Sequence, residues 1–275
     1  MEEIKNIIKN LIAEKHSQTT VFKRNLLKEY LQILVLDFIY AHPKYSELVF
    51  YGGSCLAHCF GLPRLSEDLD FVDLKNKVKL LDFAKELENY FQKNTDLPVK
   101  TSAQKFRICL KFPILKELGL AKDDESDFLF LKVEVFQKFD FCAKYQIEII
   151  PLFKYDRSLL AKTFDLPTLM ATKIRAILNR AWEKTDKTGR TLAAVKGRDY
   201  FDLMWYLEKG IRPNLNCIEK IKTINELKER LLKKVEKIDA RSIQFDLESL
   251  IDNIDFVKKT SRNIKDILKR EILKM

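Results

Sequence analysis

Two short apolar runs, residues 48–51 and 69–72, bracket a Gly52-Gly53-Ser54 turn, with one acid, Asp68, just before the second run and another, Asp70, within it. This arrangement predicts two strands of one sheet joined through a short helix over residues 55–60, with Gly61-Leu62-Pro63 as the turn that follows. Paired glycines let the backbone turn sharply and approach a ligand closely, and N–H groups at the start of the next helix suit a phosphate. The Ser54 hydroxyl adds a donor for the same anion. Asp68 and Asp70, two residues apart on a strand, project to one face, so both carboxylates can converge on one or two divalent cations. Hard oxygen ligands select Mg2+ or Mn2+, ions that also bind substrate phosphates.

Apolar positions at helical spacing, among them Ile4, Ile8 and Leu11 and then Leu27, Leu31 and Leu34, predict two helices in residues 2–41, ended by Pro43. Residues 77–94 read as another helix. Residues 106–112 and 128–136 run or alternate as strands do, and the acidic stretch 122–127 is a natural hairpin loop between them. Glu134 sits between Val133 and Val135 in the second of these strands, and is the candidate for the third carboxylate that a two-metal displacement needs. After Pro151 strand signals fade, and helices are expected over residues 169–182, 200–207, 218–235 and 247–273. An α/β first half and a helical second half then divide between residues 151 and 167.

Charge is distributed unevenly along the 275 residues. Residues 151–275 hold 28 Lys and Arg against 18 Asp and Glu, so they carry the whole net charge of +10 and leave 22 of each sign for residues 1–150. A neutral half joined to a basic half suits an enzyme with a nucleic-acid substrate; the plain alternative is a set of solvated helical faces. Five scattered cysteines with no CxxC pair indicate neither a disulfide framework nor a zinc site, and reduced thiols in a cytoplasm fit that usage. His42, Cys55, His58 and Cys59 read as packing residues. No apolar run of about 18 residues offers a membrane span, and the N-terminus lacks a signal peptide's apolar core.

Taken singly, a GG pair is often only a turn, a DxD pair is common in acidic loops, and an acid in a strand can simply face solvent. In the order strand, GGS, short helix, DxD strand, acidic strand, they support one another. GGS followed by Arg64-Leu65-Ser66-Glu67-Asp68-Leu69-Asp70-Phe71 resembles the nucleotidyltransferase superfamily related to DNA polymerase beta. Residues 169–176, with Lys173, and Lys196-Gly197-Arg198-Asp199-Tyr200-Phe201-Asp202-Leu203 resemble the signature of its AbiEii/AbiGii toxin branch.

The resemblance implies an α+β protein: a polymerase beta-like mixed-sheet domain over residues 1–155, then a basic helical bundle over residues 156–275. It implies triphosphate contacts at Gly53 and Ser54, with Gly52, Arg64 and Ser66 also at the nucleotide. Asp68, Asp70 and Glu134 become metal ligands, Lys173 faces the nucleotide phosphates, and Asp199 completes the site. Glutamate replaces the aspartate that many relatives use as the third acid. The implied function is that of a toxin from a toxin–antitoxin or abortive-infection pair, moving a nucleoside monophosphate from an NTP to a hydroxyl, with the 3′ end of tRNA as acceptor and an antitoxin as partner.

Other readings remain open. Lys173 and Arg180 lie on one helical face, where two cations could meet an anion, and Arg198-Asp199 could be an ordinary helix start. Ser66 could be a modification site or a turn stabiliser. Residues 180–198, around Gly189, could form a mobile basic loop. The acceptor could instead be a protein or small molecule, or the chain could bind NTP or RNA without catalysis.

Overall fold

The structure, a computed structural model, describes residues 3–180, 183–185, 188–189 and 191–275. The chain divides into two compact units. The first holds Met1–Gly61, Leu65–Phe139 and Glu148–Thr163; the second holds Leu62–Arg64, Asp140–Ile147 and Phe164–Met275.

In the first unit, α1 (Ile4–Ala13) buries Ile4, Ile8 and Ile12, one per turn on one face, and full burial of such a side chain contributes about 1.5–3 kcal/mol. The longer α2 (Thr20–Ala41) is capped by Thr19, whose side chain accepts from the Phe22 N–H. It stops as His42 turns extended ahead of Pro43. Next come β1 (Val49–Tyr51), α3 (Gly52–Phe60), β2 (Leu69–Val72), α4 (Leu80–Asn94), β3 (Lys100–Gln104), β4 (Arg107–Pro113) and β5 (Phe128–Phe136). β6 (Ile147–Lys154) and β7 (Arg157–Phe164) complete a seven-stranded mixed sheet of order β3-β4-β5-β2-β1-β7-β6.

The sheet's two faces differ. Along β5, Leu129, Leu131, Val133 and Val135 are buried, while Lys132 and Glu134 between them keep partial exposure. On β2, Leu69 and Phe71 are buried and Asp70 alternates to the other side. β2 and β5 run parallel with Asp70 opposite Glu134.

One expectation fails here. Strand signals fade after Pro151 in the sequence, yet β6 runs through Pro151 and β7 lies in the half expected to be helical. Proline lacks an N–H and is tolerated on an edge strand, the position β6 holds. Tyr155 and Asp156 between them both have positive φ, at 50° and 56°, the conformation of a tight hairpin turn without the usual Asn-Gly signal. The Tyr155 hydroxyl is 3.0 Å from Glu29 Oε2, and its ring packs on Tyr30, so tertiary contacts hold a turn its residues disfavour. The boundary expected between residues 155 and 156 falls in this turn.

The second unit contains α5 (Leu166–Asn179), the short strands β8 (Lys184–Thr185) and β9 (Thr191–Ala193), α6 (Gly197–Glu208), α7 (Ile224–Val235), α8 (Ala240–Leu247) and α9 (Ile254–Lys274). The helix expected over residues 247–273 begins only at Ile254, after α8 has ended at Leu247, where Asn253 caps the new start by accepting from the Phe256 N–H. The helix expected over 218–235 begins only at Ile224, after a 3-10 turn at Leu215–Cys217. Trp182, expected to end α5, lies outside the described residues, as does part of the expected basic loop. At Gly197 a Cβ would stand 2.8 Å from the Ile243 Cα, so α6 starts flush against α8. A disulfide joins Cys142 and Cys217, 75 residues apart, correcting the reading of all five cysteines as reduced thiols. Their spacing carried no sign of it because the pairing depends on how segment 140–147 folds against the 3-10 turn.

Candidate active site

The first unit gathers its acids at one place on the sheet. α3 begins directly after β1, so the N–H groups of its first turn lack partners within the helix. Gly52 has φ +81°, and a Cβ there would lie 2.3 Å from Asp70 Oδ2. Only glycine admits both the backbone conformation and the carboxylate packed against it. Ser54 is fully buried, and its Oγ donates to the Asp68 carbonyl, which ties the start of α3 to the chain leading into β2. The hydroxyl expected to meet a phosphate is thus engaged by the backbone.

Asp68 lies 4.0 Å from Lys132 Nζ. Glu134, opposite Asp70 on β5 and opposite Arg107 on β4, pairs with Arg107 Nη2 at 3.2 Å. Three carboxylates and two cations therefore share this corner. Arg107 and Lys132 were missed in the sequence; the signal was a cation on the partly exposed face of strands whose other face is apolar. The Ser66 carbonyl accepts from Gln32 Nε2 at 2.9 Å, so Ser66 belongs to the wall of this unit through its backbone.

Lys173, Asp199 and Arg64 belong to the second unit. Arg64 Nε and Nη2 each lie 2.6 Å from an Asp202 carboxylate oxygen, with side chains 1% and 0% exposed. Such a fork-to-fork pair is among the stronger charge-assisted contacts, and it occupies the guanidinium expected at the nucleotide. Lys173 Nζ bridges Asp202 at 2.8 Å and Asp199 at 3.0 Å, and Arg180 Nη1 reaches the other Asp199 oxygen at 2.5 Å. The two cations foreseen on one face of α5 do meet an anion, and it is the protein's own Asp199.

Burial pushes both aspartates up, but Lys173 and Arg180 around Asp199, and Arg64 and Lys173 around Asp202, outweigh it and hold both below the ordinary carboxylate value. Burial likewise pulls Lys173 down, and the two carboxylates more than restore it. Asp202, unassigned from the sequence, is the centre of the cluster; its position three residues after Asp199 on one helix was the available clue.

The description "Nucleotidyl transferase AbiEii toxin, Type IV TA system" matches residues 34–270, a span that includes every residue of both clusters. The chain belongs to the AbiEii family. It is therefore a nucleotidyltransferase of the toxin–antitoxin type. Among solved structures it is similar to JHP933 from Helicobacter pylori, at 18% identity and a TM-score of 0.47, over 91% of this chain and 94% of that one. A second H. pylori protein, described as a candidate nucleotidyltransferase, gives 17% identity and a TM-score of 0.45, over 90% and 96%. Comparison with curated protein sequences finds no match.

Within this AbiEii chain, the strand carboxylates are the donor set that suits a hard cation. Gly52 leaves the Asp70 carboxylate room that any side chain would fill, and Glu134 shares its face. Among the described residues no three His, Cys, Asp or Glu side chains form a ready-made metal cage. Mg2+ is usually held by one or two carboxylates together with substrate phosphates, so the pair of acids suits it. His58 Nε2 is 2.9 Å from Gln32 Oε1, and burial, with Lys154 nearby, lowers its pKa to about 3; it packs as a neutral ring. No helix of the described residues is long and apolar enough to cross a membrane.

Proposed function

We propose that this AbiEii-family protein transfers a nucleoside monophosphate from an NTP to the 3′ end of tRNA. The observation that carries the catalytic part is the register of Asp70 with Glu134 beside the glycine that opens α3. In the reaction the acceptor hydroxyl oxygen bonds to the α-phosphorus, and the bond to the bridging oxygen breaks. Pyrophosphate departs with that electron pair, and the hydroxyl proton passes to a carboxylate oxygen of the strand cluster. Asp68, Asp70 and Glu134 would hold Mg2+ or Mn2+, which when bound stabilises negative charge on the attacking and leaving oxygens.

The backbone N–H groups of Gly52, Gly53 and Ser54 face the triphosphate at the positive end of α3. Lys173 and Asp199 join the reading through the family motif alone, and within the second unit Asp199 and Asp202 keep the lysine charged. Arg64 and Ser66 act at one remove, as supports. The basic excess of residues 151–275 supports RNA as acceptor. An RNA acceptor places the work in the cytoplasm, and membership of a type IV system supports a cognate antitoxin.

The test incubates wild type and Asp70→Ala protein with total tRNA, Mg2+ and each α-labelled NTP in turn, and resolves the RNA on a denaturing gel. Label entering tRNA with wild type alone is the expected result. No label from any NTP sinks the tRNA acceptor and moves the search to protein or small-molecule hydroxyls.

A further inference from the structure

The second unit contains a cavity of about 240 Å3 that the ion cluster only borders. Its polar lining comes from four places in the chain: Arg180 at the C-terminal end of α5, Lys196 and Asp199 at the start of α6, Lys234 on α7 and Lys237 just beyond it. Asp199 is the one acid in this lining, and it is already matched by Lys173 and Arg180. Among the described residues no carboxylate stands within ion-pair distance of Lys196, Lys234 or Lys237. Asp199 offsets Lys196 only in part, since it is already shared with Lys173 and Arg180, so the concave site carries an excess of positive charge whose repulsion a bound anion relieves. Burial, then the nearby Arg198, already pulls the Lys196 ammonium down to about 8.

The remaining walls are apolar, with Ile177, Val195 and the buried Tyr200 among them. The volume equals roughly eight waters at about 30 Å3 each, less than the ~300–1,000 Å3 of sites that enclose a whole small ligand. Cations over an apolar floor fit a phosphate with its attached sugar better than a bare oligophosphate. Lys237 and Arg180 are exposed, so a chain can run on past the rim. The backbone is fixed in place: the Ala194 N–H donates to Ser242 Oγ at 2.9 Å, and Gly197 lies flush on α8.

We propose that this cavity is a subsite for a backbone phosphate of the RNA acceptor, separate from the phosphates of the NTP. The proposal rests on the RNA reading of the acceptor, and its test runs without turnover so that the two can fail separately. Binding of total tRNA and of a single-stranded oligouridylate is measured by fluorescence anisotropy across a salt series, for wild type, a Lys234→Gln/Lys237→Gln double variant and the Lys234→Arg/Lys237→Arg pair. Binding of ATP with Mg2+ is measured alongside by equilibrium dialysis. Each lost phosphate contact lowers the slope of log affinity against log salt by about 0.7–0.9. The glutamine pair is therefore expected to lose about one unit of slope and about tenfold in RNA affinity at low salt, with ATP affinity unchanged and the arginine pair like wild type.

Unchanged slope and RNA affinity in the glutamine pair overturn the proposal. So does weakened ATP binding with RNA binding intact, which assigns the cations to the NTP. Should the double variant melt early, the single Lys237→Gln change at an exposed position carries the same comparison. A protein that labels no tRNA yet loses slope in the variant keeps the subsite and loses the acceptor reading; one that labels tRNA with slope unchanged does the reverse.

Discussion

In the first unit Asp70 and Glu134 stand on strands at a partly exposed sheet face, with Asp68 just ahead of β2, whereas the acids of the second are sealed among helices by cations. Asp68 keeps 35% of its side-chain exposure and Glu134 keeps 16%, against 6% for Asp199 and 0% for Asp202. Neighbouring strands can hold like charges side by side because the backbone ladder fixes their spacing, and the repulsion remains available to a bound cation. A buried helical acid has no such freedom. Taking it out of water costs several kcal/mol, and only close pairing with good geometry offsets that. The open cluster sets three acids against Arg107 and Lys132, an excess that a bound cation would meet, and the buried one has its acids matched from within.

The contrast breaks most sharply at Asp202. Asp202→Ala leaves Arg64 and Lys173 buried without their carboxylate and is expected to cost about 3–5 kcal/mol, read by urea unfolding; a loss below about 1 kcal/mol would show that the cluster is not the closed unit described. Its pH behaviour sharpens the point. Because the folded pKa values of Asp199 and Asp202 lie below the unfolded ones, their contribution is present above about pH 4 and is lost as the pH falls through the folded values. Asp202→Asn should flatten that acid limb.

At the open cluster the expected effect is on rate. Asp70→Asn should lower kcat about 10²–10³-fold, the range for removing one charge-stabilising group, with the melting temperature close to wild type. A stability loss like that of Asp202→Ala would erase the distinction between the two sites.

Gly52→Ala tests the contact between Asp70 and the backbone at the start of α3. Positive φ costs a non-glycine residue about 1–2 kcal/mol, and the new Cβ displaces the Asp70 carboxylate. Activity should therefore fall well beyond what that destabilisation explains. Wild-type turnover in Gly52→Ala protein would mean that the position of Asp70 in this structure is not the working one.

The smallest effect belongs to Lys196, which faces Arg180, Lys173 and Asp199 with Arg198 beside it. With its pKa at about 8, the free protein loses that charge as pH rises from 7 to 9, so RNA affinity should fall, by about tenfold at most. Lys196→Arg should remove the dependence, and an equal fall in that variant would assign it to another group.

Much of the first unit was readable because its signals are local. Glu134 stood out as the lone acid between apolar neighbours in residues 128–136, a signal that needs no knowledge of the neighbouring strands. The glycines and the DxD spacing announced the turn and the shared face for the same reason. The β6–β7 hairpin was missed because Pro151 and the Tyr155-Asp156 turn argue against strands locally, while an edge position and the Glu29 contact overrule them. Arg64 was misassigned because a basic residue near a phosphate motif looks like a ligand contact until Asp202, 138 residues away, is seen to occupy it.

By itself the sequence determined the periodicities, the glycine turn, the acids on a common strand face and the basic excess of the second half, since each depends on residues within a few positions of one another. Only the tertiary structure decided that Ser54 is held by a backbone carbonyl, that Cys142 meets Cys217, that Lys173 and Arg180 spend their charge on Asp199, and that Lys196, Lys234 and Lys237 converge on a site whose one acid is already paired. A charge's partner is whatever the fold brings within about 4 Å of it, and over tens of residues no spacing rule encodes that distance.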